Sequence, residues 1–379
     1  MRDNKIAYFN ILKITAALCV SVLFHYQDHF LISVNGKNPF SGGSILYVLS
    51  QNSNMFVELF FIISGLLFQK IYVERIENGQ SFHQFMLRRI LRLYPVMLAT
   101  IFVMYILQGV IIHQTGAGWN EEATISLKAL FVDCVFAGPV WINGSMTQNA
   151  PIWYISVLLV CYMVAFGITQ LRHLLISKYH LSGKTTGLLF ACPFILGILM
   201  RYILLDGILW NRYISRGYIS FFLGIFLGVF LELYVSCSKK AKAGIKTVCV
   251  IMILLVMLLY NSGLTAMVID DLSFTLCIYV FPALIVALYD INWLNRICSM
   301  KIPEYLGKIS FGIYIWNFPI FAFWYLLYIN GCLPWNPASY GFVGVNILVH
   351  LIIAVLSYEC IEKRLTDRLI SFLKEKRIL

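Results

Sequence analysis

Apolar stretches of about twenty residues, the length that crosses the hydrocarbon of a bilayer, recur from Ile6 to Cys360 and limit what this chain can fold into. Composition agrees: 60% of the 379 residues are hydrophobic and 12% charged. A soluble domain carries about 25% charged residues. Mean hydropathy is +0.79. Lipid offers the backbone no hydrogen-bond partner, so each span must close its own bonds as a helix. The expected fold is all-α, a polytopic membrane bundle of about ten transmembrane helices. The expected spans are Ile6–Tyr26 (extendable to Val34), Ile45–Phe68, Ile90–Ile112, Ile152–Leu171 and Thr186–Leu205. The second half adds Ile214–Tyr234, Ile245–Leu264, Leu272–Tyr289, Ile309–Ile329 and Tyr340–Cys360.

The basic residues orient these spans. With Lys13 inside the first span set aside, 23 of the 29 Lys and Arg fall in loops on one side and five on the other. Basic loops stay in the cytoplasm, so both termini are expected there. The net charge of +11 then reflects topology and contact with anionic lipid, and no nucleic-acid partner is expected. The first span carries polar groups and no small-residue cleavage site, so it reads as a retained helix and not a signal peptide. Residues 1–379 read as a single membrane domain without an appended soluble one. Its one long external stretch, Gln114 to Pro151, holds Trp119, Glu121, Glu122, Asp133 and Trp141. The ten cysteines show no CxxC pairing and read as small apolar core residues.

Several residues do not belong in lipid. "LCVSVLFHYQDHF" carries His25 in the outer half of the first span, with Asp28 and His29 three and four positions on. Positions at that spacing share a helix face, which offers the imidazole a carboxylate partner. The plainer reading is a histidine that fixes helix packing by hydrogen bonding. No metal-ligating set is expected. In "MFVELFFIISGLLFQ", Glu58 is an intramembrane carboxylate that must face a partner or a cavity. Ser64 and Gly65 in the same stretch are small enough for close helix approach.

"FMLRRILRLYPV" places Arg88, Arg89 and Arg92 at the cytoplasmic start of the third span. Three guanidiniums at a helix N-terminus suit a multi-phosphate ligand, although positive-inside anchoring accounts for them too. Ser310, Tyr314 and Asn317 form a polar stripe along the ninth span. Trp153 and Tyr154 open the fourth span from outside, as interfacial belt residues or as a platform for a sugar ring. Arg201, Arg212 and Arg216 with Trp210 form a basic, aromatic patch facing outward.

Five of these segments, in order, resemble the acyltransferase-3 family of integral-membrane O-acyltransferases acting on surface glycans. They are "VLFHY", "ELFFIISGLL", "RRILRLYP", "LGKISFGIYIWNFP" and "YECIEKRL", and the resemblance runs from about Phe9 to Arg364. It implies that His25 is the catalytic histidine, with Glu58 where the family has an acidic residue. It further implies that Arg89 and Arg92, with Arg88 and Ser64 beside them, serve acyl-CoA. Asp28, Trp153, Ser310, Tyr314 and Asn317 would support the acceptor side. The sequence departs from the family at Asn317, where a histidine is frequent, and at Lys13 and Asn10, which stand for arginine and aspartate.

The resemblance implies acyl transfer, of acetyl as the family's commonest cargo, from cytoplasmic acyl-CoA to a hydroxyl of an exported or lipid-linked glycan. Acyl-CoA enters as co-substrate, with no permanently bound cofactor, and the expected site of action is a bacterial cytoplasmic membrane. Neutral imidazole is suited to take the hydroxyl proton, with Glu58 or Asp28 setting its tautomer. Direct transfer and an acyl-histidine intermediate are both open. A transporter or flippase relaying protons through His25 and Glu58, and a non-catalytic membrane scaffold, are the competing classes.

Overall fold

A computed structural model describes residues 6–42, 44–119, 126–135, 148–203, 209–261 and 276–375. The regular elements among them are all helical. Helix α1 spans Phe9–Leu31, α2 Ile45–Ile71 and α3 Phe82–Thr115. A short α4, Leu127–Cys134, precedes α5, Ile152–Tyr179. Then come α6, Leu188–Tyr202, α7, Tyr213–Ser236, and α8, Lys239–Leu258. Helices α9, Ile278–Leu288, and α10, Asn292–Cys298, meet at a 95° bend. Helix α11 covers Lys301–Ile329 and α12 Tyr340–Leu373.

Among the described residues, eight helices are long and apolar enough to cross a membrane, or nine if the bent pair is one span. The protein is therefore a multi-pass membrane bundle. The difference from ten lies in two places. The expected span Thr186–Leu205 folds as the shorter α6, and Leu272–Tyr289 as the bent pair, whose first residues lie outside the described ones. Also outside are Glu121, Glu122 and Trp141 of the long external stretch, and the side chains of Trp210 and Arg212.

Local chemistry sets the helix ends. Ser44, Ser81, Ser126 and Ser339 each accept a hydrogen bond from a backbone N–H three residues on, capping α2, α3, α4 and α12. A serine oxygen there satisfies one of the donors that a helix start leaves open. Helix α3 stops at Gly116, whose φ of +76° suits glycine. At 34 residues it is about 50 Å long, so its first turns, bearing the arginines, reach past the hydrocarbon. Helix α8 shows Val248, Ile251, Leu254 and Leu258 outward, the apolar exposure expected of a face against lipid tails.

Close packing centres on α2 and α7. A Cβ on Gly65 would strike the Phe221 carbonyl, and one on Gly224 the Ile62 carbonyl. Without a hydrophobic drive between helices in lipid, such small-residue contacts bring backbones together. Gly65 thus has the packing role its size suggests. Helix α11 runs against α1, α3 and α12. At its start, Gly307 lies so close to Asn10 of α1 that a side chain there would collide. This arrangement gathers α1, α2, α3, α5 and α11 around one interior.

Candidate active site

That interior holds a cavity of about 220 Å³ toward the arginine-bearing end of α3. Its cations come from three helices: Lys13 of α1, Arg89 and Arg92 of α3, and Lys308 of α11. Arg89 and Arg92 are one turn apart on the same face. Arg88, one step back and so about 100° around the helix, is exposed and does not line the cavity. The Arg89 guanidinium lies 4.0 Å from the ring centre of Tyr72 and 5.2 Å from that of Tyr162, and its buried Nε has no hydrogen-bond partner among the described residues. Lys308 pairs with Glu304 at 3.0 Å. Lys13, Arg89 and Arg92 have no ion-pair partner among the described residues, and Lys13 and Arg92 repel one another. Unpaired like charges facing one partly buried space are costly unless an anion joins them.

Toward the other end the lining becomes apolar and hydroxylic: Ile63, Leu67, Leu158 and Phe311, then Ser64, Ser310, Tyr154 and Tyr314. Ser64 Oγ and Tyr154 Oη are 3.4 Å apart. Ser310 donates its hydroxyl proton to the Gly307 carbonyl at 2.9 Å. Ser64, Arg89, Arg92, Ser310 and Tyr314, all singled out in the sequence, thus surround one space.

His25 lies beyond this space and does not line it. It sits between two π segments, Cys19–Phe24 and Tyr26–Leu31, a geometry that in helices concentrates at functional sites. Asn317 of α11 makes its polar contact: Asn317 Nδ2 is 2.7 Å from His25 Nδ1 and donates to Ser21 Oγ at 3.1 Å. Asn317 Oδ1 is buried without a hydrogen-bond partner among the described residues. Phe318 stands edge-on to the His25 ring at 5.3 Å and is itself backed by Trp119. The His29 ring is 5.3 Å away.

Asp28 does not join this group. A turn wider than four residues carries position i+3 off the face that i+4 keeps. Asp28 accordingly lies 3.6 Å from His29, with half its side chain exposed. Glu58 does not join it either. Its carboxylate is paired with Arg216 of α7, whose Nη2 also donates to the Asn54 carbonyl at 3.2 Å. That carbonyl is offered by a 3-10 turn, Ser53–Met55, in α2. The Arg216 guanidinium covers the Trp153 ring at 4.8 Å, and Trp153 packs on Phe61 and Tyr213. Trp153 is 8% exposed, so its faces are committed to protein and not open to a sugar.

A further link holds the external stretch against this layer. Pro319 in α11 has no N–H, which frees the carbonyl of Ile315 four residues earlier. Asn149 takes it up, donating Nδ2 at 2.9 Å. The neighbouring Gln148 N–H donates to Asp133 Oδ2 at 3.1 Å. Burial pushes the Asp133 carboxyl up to about 7.

Sequence reasoning placed Lys13 only as a departure from a family pattern and passed over Ser21 and Lys308. A charged residue within an apolar stretch was the available signal for Lys13. For Ser21 there was none, since a lone serine in a span is ordinary.

The comparison with known families matches residues 6–358 to the one described as an acyltransferase domain. No curated protein and no solved structure matches the chain. The matched range covers nearly the whole chain and every residue of the cavity and of the His25 layer, so the chain belongs to the acyltransferase-3 family.

Proposed function

We propose that this acyltransferase moves a short acyl group, acetyl first, from acyl-CoA on the cytoplasmic side to a hydroxyl of an exported or lipid-linked glycan outside. The observation that carries the reading is a single stripe on α11: Ser310 and Tyr314 line the cation-rich cavity, and Asn317 touches His25. The seven steps from Ser310 to Asn317 rise about 10 Å along the helix. One helix thus connects a dock for phosphates to an imidazole near the other leaflet. In this reading the positive-inside rule puts the cavity on the cytoplasmic side, where acyl-CoA is made.

Lys13, Arg89, Arg92 and Lys308 take the nucleotide phosphates through charge-assisted hydrogen bonds, and the pantetheine arm lies along the apolar wall toward Tyr314. At His25 the acceptor hydroxyl oxygen attacks the thioester carbonyl while Nε2 takes its proton. The C–O bond forms, the C–S bond breaks, and the imidazolium returns the proton to the departing CoA sulfur. A basic Nε2 requires the ring proton on Nδ1. Asn317 supplies the matching acceptor after a half-turn of its amide: Oδ1 then receives Nδ1–H and the Ser21 hydroxyl proton, and Nδ2 takes the position the oxygen held. An amide can therefore hold the tautomer where the family often has a histidine. Glu58, engaged by Arg216, ties α2 to α7 in this reading and leaves the imidazole to Asn317. That engagement also speaks against a proton-relaying transporter, which needs an exchangeable carboxylate.

The test is purified protein given labelled acetyl-CoA and an envelope glycan extract. The wild type should release CoA and label the extract. His25→Ala should lower transfer by roughly 10²- to 10⁴-fold at unchanged protein level. Full transfer by His25→Ala would remove the imidazole from the mechanism, and binding without release by the wild type would make the protein a scaffold.

A further inference from the structure

The cavity stops where three rings from three helices meet. Phe60 of α2, Tyr154 of α5 and Tyr314 of α11 are mutually in contact, with ring centres 6.1 Å apart for Phe60–Tyr154, 6.0 Å for Phe60–Tyr314 and 5.8 Å for Tyr154–Tyr314. All three line the end of the cavity farthest from the cations. Tyr154 and Tyr314 are buried, and Tyr154 is tethered through its hydroxyl to Ser64. One turn beyond Tyr314 on the same helix is Asn317, in contact with His25. The triad therefore stands between the phosphate dock and the imidazole.

We propose that Phe60, Tyr154 and Tyr314 form a gate that selects the acyl group by size, admitting acetyl to His25 and holding back longer chains. This rests on the acyl-transfer reading above and adds to it the basis of donor choice.

The physical case is one of packing. The rings touch, so a thioester can pass only by displacing at least one of them. Tilted and edge-on contacts between aromatic rings are worth about 0.5–1.5 kcal/mol a pair beyond the area they bury, little enough for a bound donor to part them. A two-carbon group needs a small ring rotation. Each further methylene must be housed between walls already filled, and close-packed interiors yield poorly to added volume. Tyr154 is held by Ser64, whereas no hydrogen bond of Tyr314 is found among the described residues. Tyr314 is then the ring that moves, with Phe60 the next freest because it has no polar anchor.

The experiment measures CoA release from acetyl-, butyryl- and hexanoyl-CoA by purified protein, with an envelope glycan extract as acceptor. The wild type should favour acetyl over hexanoyl by roughly tenfold or more. Tyr314→Ala should raise the hexanoyl-to-acetyl ratio by roughly tenfold, and Tyr314→Phe, which keeps the ring, should leave it as in the wild type. Phe60→Ala gives an independent opening from the opposite wall and should shift the ratio in the same direction. The gate is overturned if the wild type uses hexanoyl-CoA as readily as acetyl-CoA. It is equally overturned if both alanine variants turn over acetyl-CoA with an unshifted ratio, or if both bind donor and transfer nothing while Tyr314→Phe is active. In these cases acyl transfer itself stands. Release of no CoA from any donor by the wild type removes the acyl-transfer reading, and the gate with it.

Discussion

The two halves of the interior use charge in opposite ways. At the arginine-bearing end, Lys13, Arg89 and Arg92 face the cavity without an ion pair among the described residues, although Arg92 feels the buried Glu362 and Arg89 lies over the Tyr72 ring. At the other end Arg216 is spent on Glu58, on the Asn54 carbonyl and on the Trp153 ring. The first set stores unfavourable free energy that an anion relieves, which is what a binding site for a polyanion needs. The second set is satisfied within the protein and fixes how α2, α5 and α7 meet. Cations of equal formal charge therefore predict opposite responses to substitution.

Glu58→Ala should show the largest effect. It leaves Arg216 buried and uncompensated, a change worth about 3–5 kcal/mol, and thermal unfolding in detergent should report a clear fall in Tm. An unchanged Tm would place Glu58 among the functional groups and undo the contrast.

The double variant Arg89→Ala, Arg92→Ala should behave conversely. Tm should fall less than in Glu58→Ala, since relieved like-charge repulsion offsets the lost ring contacts of Arg89, while KM for acyl-CoA increases about 100-fold, in line with two charge-assisted hydrogen bonds lost. KM for the acceptor should scarcely move. Equal loss for both substrates would mean that these arginines shape the fold and not the dock. Arg88→Ala, outside the cavity, sharpens the point by leaving both constants near wild type.

The smallest effect concerns the external stretch. With its carboxyl raised to about 7 by burial, Asp133 stays protonated in the folded state through a range where the unfolded chain has released that proton. Its contribution is full below the ordinary aspartate value near 4 and is lost as pH rises through about 7. Hydrogen exchange at the Gln148 N–H, corrected for its intrinsic rate, should accelerate between about pH 4 and pH 7 and level off above, and Asp133→Asn should flatten that rise. A pH-independent protection would detach Asp133 from the anchoring of residues 148 to 150.

Much of this contrast could be read in the sequence, and the unread part has a common cause. Spans follow from apolar length, and Arg89 with Arg92 from spacing on one helix face. The ends of the polar stripe Ser310, Tyr314 and Asn317 were legible as a stripe, because helical periodicity is local. Partner choice is not local. Glu58 meets Arg216 at a separation of 158 residues and His25 meets Asn317 at 292, and these pairings are set by which helices pack together. Asp28 was assigned to His25 on α-helical spacing, which the π segments of α1 break. Hydropathy likewise cannot foresee that α9 and α10 bend, since the pair is as apolar as a straight span.

The central claim is that the cation-lined cavity and His25 are the two ends of one path for an activated acyl group. The structure of the protein with acetyl-CoA bound tests it most directly. The account predicts phosphates on Lys13, Arg89, Arg92 and Lys308, rings of the aromatic triad parted, and the thioester carbonyl beside His25 with room between them for one hydroxyl oxygen, about 3–3.5 Å from the carbonyl carbon and within hydrogen-bond reach of the imidazole. A thioester halted below Tyr314, or phosphates bound away from those four cations, would contradict it.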